Sequence, residues 1–203
     1  MSLGIAFWQP TVVLPATTWN PADKAASIDL SGGNLIASMH AGVAAPQTVR
    51  ATNGKLNSAN GYFEVVINAS FSGANYCMIG LATSAASLTT FLGTDAFAWA
   101  YYQQTGDVHT NNVYSPYGTT YAQGDIVGVA FKNGSLWFSK NNVWQNSGNP
   151  SGNTGAAFTG ITGTLFPAIT IYNGTAVPTD VFTGHFSSGA LTYSPPAGFT
   201  AWG

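Results

Sequence analysis

Three histidines, one cysteine and seven carboxylates are the whole stock from which this 203-residue chain could build a reactive centre. Asp107-Val108-His109 is the one acid and imidazole pair close in sequence. In an extended segment residues two apart share a face, the arrangement in which a carboxylate orients a general base. A nucleophile is missing, for Thr105, Thr110 and Tyr114 are merely nearby. No G-x-S-x-G elbow occurs, and Ser187-Ser188-Gly189 reads as a turn. Glycoside hydrolysis needs two carboxylates across a cleft. Asp95 and Asp125 read as turn residues that accept local backbone N–H groups, which leaves Glu64 with Asp107 and nothing to join them. Cys77 lies in the apolar run 76–82, where a small buried hydrophobe is expected. No spacing matches a zinc or calcium site. These residues point away from an enzyme, and they suggest neither a metal nor a cofactor.

Neutral hydrogen-bonding groups beside aromatic rings are far more plentiful. Tyr101, Tyr102 and Gln104 form one such group, and His109, Asn111, Asn112 and Tyr114 a second. Asn141 and Asn142 form a third. Tyrosine with Asn and Ser is the chemistry of adaptable protein-binding loops, and aromatic faces with amides and hydroxyls also hold sugars. These residues are the candidate binding surface, with hydrophilic loop filler as the plainer alternative.

Composition narrows the classes further. Charged residues make up 6% of the chain, against roughly 25% in an ordinary soluble domain. With 45% hydrophobic residues the chain does not fit the disordered class. Five Lys and Arg at net charge −2 cannot neutralise a phosphate backbone, so no nucleic-acid partner is expected. No apolar run approaches the ~18 residues of a membrane helix, so no membrane insertion is expected. The first ten residues lack the basic start of a secretion signal. A surface covered by Ser, Thr, Asn, Gln and Gly lacks the colloidal protection of charge, which hints at work inside an assembly.

Helix signals are nearly absent: Asn20 and Pro21 open at most one short turn at Pro21-Ala22-Asp23-Lys24. Strand signals recur along the chain. Ser27-Ile28-Asp29-Leu30 alternates and turns at Gly32-Gly33 into 34–38. In 61–68, Phe63, Val65 and Ile67 face one way and Tyr62, Glu64 and Val66 the other. Residues 77–82 are apolar on both faces, as in a central strand, and 96–102 place Phe97, Trp99 and Tyr101 on one side. The clearest local signal is a hairpin in which 126–131 and 136–139 are joined through Asn133-Gly134, a type I′ turn pair. Residues 165–171 make a late strand in which Pro167 requires an edge or a bulge. Strands at 181–186 and 191–194 close the pattern. The fold class is all-β, an antiparallel sandwich, because both sheets must donate the inward aromatics.

Residues 1–20 stand apart from the sandwich of 21–203. They form an apolar arm or edge strand in which Ile5, Phe7, Trp8, Val12 and Leu14 need a cover. An assembly anchor is the functional reading.

Ordered motifs then carry a resemblance. Gly61-Tyr62-Phe63-Glu64-Val65, Ile79-Gly80-Leu81-Ala82, Leu92-Gly93 with Trp99-Ala100-Tyr101, and Gly124-Asp125-Ile126-Val127-Gly128-Val129 occur in the order of the SPRY (B30.2-like) family. So do Leu136-Trp137-Phe138-Ser139-Lys140-Asn141, Leu165-Phe166-Pro167-Ala168-Ile169 and Tyr193-Ser194-Pro195-Pro196-Ala197-Gly198-Phe199. Asn142 replaces the family's glycine after Asn141. The resemblance covers roughly residues 60–202. It implies a bent β-sandwich of the concanavalin-like jelly-roll type whose loops bind a protein or ligand without catalysis. The start, Trp19-Asn20-Pro21-Ala22-Asp23-Lys24, is similar to SPRY-like structural proteins of tailed bacteriophages and prophages. The expectation is therefore a virion structural protein, a head fibre, decoration protein or tail appendage on the particle surface. It would bind other virion proteins through its arm and form a homo-oligomer, a trimer by analogy. The alternatives are a receptor-binding module for host-surface glycan or protein, and an intracellular peptide-binding adaptor. The adaptor ranks below the others because surface charge is scarce.

Overall fold

The computed structural model describes residues 15–40, 42–69, 76–172 and 180–203. Its strands are β1 (Trp19–Lys24), β2 (Ile28–Ser31), β3 (Ile36–Met39), β4 (Gln47–Ala51), β5 (Lys55–Leu56), β6 (Asn60–Ala69), β7 (Met78–Ala82), β8 (Ala98–Tyr102), β9 (Asp107–Thr110), β10 (Val113–Pro116), β11 (Ile126–Lys132), β12 (Ser135–Lys140), β13 (Val143–Trp144), β14 (Thr164–Ile171) and β15 (Val181–His185). One sheet runs β1-β4-β14-β7-β8-β9-β10 with β5 beside β14, and the other runs β13-β12-β11-β6-β15-β3-β2. They form the expected bent antiparallel sandwich.

Local chemistry accounts for the turns. β11 and β12 pair from Val127↔Lys140 to Lys132↔Ser135. Asn133 and Gly134 turn them at φ 48° and 74°, the left-handed values that match the twist of a tight hairpin. Asn111-Asn112 and Asn141-Asn142 make the same turn between β9 and β10 and between β12 and β13, all four at positive φ. Asparagine is the side chain that best tolerates this region. β7 is central, as its two apolar faces predict, and Gly80 is required there: a Cβ would run into the carbonyl oxygen of Trp99 on β8.

The core between the sheets is aromatic and β-branched. Phe63, Val65 and Ile67 on β6 face it with Val127, Val129, Phe131 and Phe138. The opposite face of β6 is buried too, with Tyr62 at 1% and Glu64 at 0% exposure, because a C-terminal strap crosses it. The strap takes the place of the strand expected at 191–194. Its Thr192 and Tyr193 N–H groups donate to the Glu64 carboxylate at 2.7 and 2.9 Å, and the Tyr62 hydroxyl donates to the same group at 3.0 Å. Trp202 then enters the core edge-on to Phe63, and its indole N–H donates to the Asn53 carbonyl at 2.9 Å.

Two further expectations are corrected. Pro21 to Lys24 is strand, not a helical turn: β1 pairs with β4 across an irregularity, and the Asn20 side chain accepts the Ala22 N–H at 2.9 Å. Pro167 lies on an interior strand, between β4 and β7. It is tolerated because it faces the break where β4 ends at Ala51 and β5 starts at Lys55. β1 is an edge strand of the first sheet, and its Trp19 is buried edge-on to Phe186 at 5.0 Å. Ile5, Phe7, Trp8, Val12 and Leu14 lie outside the described residues.

Candidate functional site

The outer face of the first sheet carries its own apolar cluster of Met78, Ala82, Ala98, Ala100, Tyr102 and Ala168, roofed by Ala86, Leu92 and Phe91 from the loop 83–97. That loop is tied down at several points. The Arg50 guanidinium reaches the Ala86 carbonyl at 2.7 Å while it holds Asp23 with two further N–H groups at 2.8 and 2.7 Å. The Leu92 N–H donates to the Thr170 hydroxyl at 3.0 Å, and the Thr48 N–H to the Leu88 carbonyl at 2.9 Å. A long loop fixed this way becomes a wall, not a lid.

At one end of this face the roof stops and a cavity of about 350 Å³ opens among Tyr76, Met78, Phe91, Tyr102, Tyr114 and Tyr172. Sheet register builds it. Thr170, Met78 and Tyr102 stand in one row across β14, β7 and β8. Ala100, His109 and Tyr114 stand in the next row. Tyr76 and Tyr172 lie just outside the ends of β7 and β14. The rings contact one another around the opening: Tyr76 and Tyr102 stack at 6.4 Å, Tyr76 meets Tyr172 at 5.5 Å, and Phe91 meets Tyr172 at 5.4 Å. Burial raises the Tyr102 and Tyr114 hydroxyls above the usual tyrosine range, with the Asp107 charge as a smaller cause. Both are neutral donors at pH 7.

The nine candidate binding residues divide. Tyr102 and Tyr114 line the cavity. Gln104 touches it indirectly, accepting the Tyr102 hydroxyl at 2.8 Å. His109 is fully buried beneath Tyr114, ring on ring at 3.9 Å, with Nδ1 at 2.8 Å from the Leu92 carbonyl. Burial pushes its imidazole below the usual range, against the smaller effect of the Leu92 bond. Tyr101 is removed from the surface altogether: it points into the core and stacks on Phe138 at 5.3 Å. Asn111, Asn112, Asn141 and Asn142 are turn residues selected by their backbone angles. The Asn141 amide is already spent on the Ile126 N–H at 2.8 Å and on Asp125 at 2.7 Å. Asn141→Ala should therefore cost about 1–2 kcal/mol of stability and leave binding at the cavity unchanged, as thermal melts and titration would report.

No reactive centre forms from the other groups. Asp107 takes the Thr105 hydroxyl at 2.6 Å, so the Asp107 and His109 side chains are engaged apart. Glu64 holds the strap. Cys77 is buried against Asp180 at 3.4 Å, where burial pushes its thiol up. Among the described residues no three His, Cys, Asp or Glu side chains are grouped to hold a metal. A second cavity, of about 400 Å³, adjoins Lys140, Trp144 and Gln145. Its polar groups are engaged internally, Lys140 with the Thr120 carbonyl at 2.9 Å and Asp125 at 3.1 Å, Gln145 with the Thr119 N–H at 2.9 Å.

Sequence reasoning missed Tyr76, Met78, Phe91 and Tyr172. A usable signal was present: aromatic residues directly outside two strands that are apolar on both faces.

The model of the SPRY domain matches residues 60–181. The chain belongs to the SPRY domain family. Two solved structures share its fold. The SPRY domain of human HERC1 has a TM-score of 0.66 at 15% identity, over 87% of this chain and 99% of that one. A second human SPRY domain has a TM-score of 0.59 at 19% identity, over 78% and 94%. No curated protein matches the chain. SPRY domains are a non-catalytic protein-interaction fold.

These matches overturn the virion expectation. Both of these solved structures are human SPRY domains, and no finding ties this chain to phage proteins. The head-fibre, decoration and tail assignments and the particle-surface location are withdrawn. Low charge misled here because it was read as a property of the surface. Much of the charge is in fact engaged within the chain: Arg50 pairs with Asp23, Lys140 pairs with Asp125, and Lys55 and Lys132 lie over the rings of Trp202 and Phe199.

Proposed function

We propose that this SPRY domain is a peptide-binding adaptor that holds a short segment of a partner protein in the aromatic cavity. The observation that carries this is the convergence of five aromatic rings and one methionine on a wall-backed opening, since preformed apolar cavities with a few polar tips are the usual seats of specific ligands. Aromatic anchors also dominate the energy of protein interfaces. The scarcity of surface charge, which ranked the adaptor low, does not weigh against it. Recognition here draws on ring burial and on neutral tyrosine hydroxyls.

The test is peptide selection from a random display library on the intact domain, followed by titration calorimetry with the selected peptides. Phe91→Ala and Tyr114→Ala should each weaken binding at least tenfold, about 1.4 kcal/mol or more, with little change in melting temperature. Selected peptides that bind both variants as tightly as the parent domain would place the interface elsewhere.

A further inference from the structure

We infer that the aromatic cavity is a cage for a methylated ammonium group, the head of a methylated lysine side chain in a partner peptide. This rests on the cavity being the peptide site proposed above and names its guest.

The rings supply the first argument. Aromatic faces carry a negative quadrupole, and a desolvated cation among several faces is held by it. Tyr76 and Tyr102 stand nearly parallel, 11° apart in plane at 6.4 Å. Tyr172 and Phe91 close the opening at one side, and Tyr114 continues it at the other, 5.6 Å from Tyr102. At about 350 Å³ the space is small, sized for the end of a side chain and not for a folded element.

Charge complementarity supplies the second. Asp107 shares the outer face of β9 with His109, diagonal to Tyr114 in the register of β9 and β10, and its charge contributes to raising the Tyr102 and Tyr114 hydroxyls. It forms no ion pair among the described residues. The five basic side chains of the chain are all placed elsewhere: Lys24 on the Ile28 carbonyl, Arg50 on Asp23, Lys55 over Trp202, Lys132 over Phe199, and Lys140 on Asp125. The cation for this cage must come from outside. His109 packs directly behind Tyr114, and burial keeps its imidazole neutral, so no positive charge opposes the guest.

Methylation decides between candidate cations. An unmodified ammonium is compact and strongly hydrated, and the described lining residues offer tyrosine hydroxyls but no carboxylate to replace its water. A trimethylated one has no N–H to satisfy and offers methyl groups to the rings. A neutral apolar guest would fill the space but leave the Asp107 charge and the ring quadrupoles unused.

The test uses one short Gly/Ser peptide in three forms, with a central trimethyl-lysine, an unmodified lysine, or the uncharged tert-butyl isostere of trimethyl-lysine, and choline as a fourth probe. Affinities and tyrosine ring resonances are measured on the intact domain. The trimethyl-lysine peptide should shift the Tyr102 and Tyr114 resonances and bind at least tenfold tighter than both the isostere and the lysine form. Asp107→Asn should weaken the charged peptide severalfold and leave the isostere unaffected, and Tyr114→Ala should weaken both. These two positions are partly or largely exposed, so the variants test binding and not folding. An isostere that binds as tightly as the cation would overturn the cage and leave the apolar peptide site standing. Choline binding as tightly as the peptide would make the guest a free small molecule and overturn the peptide partner. Silence of the ring resonances with all four probes would overturn the cage, and the peptide site would then be judged by the library-selected peptides alone.

Discussion

Glu64→Ala is expected to lower the free energy of unfolding by about 3–5 kcal/mol, the range reached when several buried hydrogen bonds to one charged group are lost together. Glu64 is fully buried, and its carboxylate accepts the N–H groups of Thr192 and Tyr193 and the hydroxyl of Tyr62. Alanine would strand all three donors beneath the strap, where each unpaired group costs roughly 1–3 kcal/mol. The Tyr62 N–H donates to the Thr200 carbonyl at 2.8 Å and the Gly203 N–H to the Phe186 carbonyl at 3.0 Å, so the strap is moored further along its length. The loss should therefore appear first as faster amide exchange at residues 191–202 and then as a lower urea midpoint. Glu64→Gln keeps one acceptor oxygen and should cost about half as much. Near-parental stability of Glu64→Ala would show that the strap holds without its carboxylate.

Gly80→Ala should be nearly as damaging, at roughly 3 kcal/mol, the upper part of the range for overpacking in a closed core. The obstacle is backbone: the added methyl meets the Trp99 carbonyl oxygen and the Ala100 Cα on β8. Neither can swing aside as a side chain would. The strands must separate, and the Met78↔Tyr102 pair two residues along the ladder helps form the cavity floor. The variant should show both a lower melting temperature and weaker binding of the selected peptides. Unchanged binding at reduced stability would indicate that the strain relaxes toward the other end of β7.

Both predictions concern residues whose importance was only half legible. Gly80 was marked by its place in an apolar run, and the need for close sheet packing followed from the family motif around it. Glu64 was visible as a carboxylate on the strand face opposite Phe63, Val65 and Ile67, with no partner that the sequence could join to it. Its burial depends on residues far along the chain that return to cross β6. Local alternation assigned the two faces of β6 correctly, yet it cannot say how many layers lie over each.

The site follows the same division. Tyr101 and Tyr102 are neighbours on one strand, so they must point to opposite sides, and alternation alone leaves open which side is the core. Packing against Phe138 sends Tyr101 inward and leaves Tyr102 on the outer face with Met78. Asn111, Asn112, Asn141 and Asn142 gave a strong composition signal that was read as recognition chemistry, when left-handed backbone at two hairpins explains it. Tyr76 and Tyr172 are far apart in the chain and meet only because β7 and β14 are neighbours in the sheet.

Sequence alone determined the all-β class, the Asn133-Gly134 hairpin, the central β7 strand and the family, because turn geometry, face alternation and ordered motifs are local and survive without knowledge of the partner strands. It also showed that twelve charged side chains offer little to catalysis. Only the tertiary structure brought together the residues of the proposed site. A cavity is a relation among strand neighbours, a pinned loop and the ends of β7, β8 and β14, and register sets that relation where periodicity cannot. The shortage of charge likewise took its meaning from the fold. Every Lys and Arg side chain is engaged away from the aromatic opening, and the proposed cage for an external cation rests on that placement.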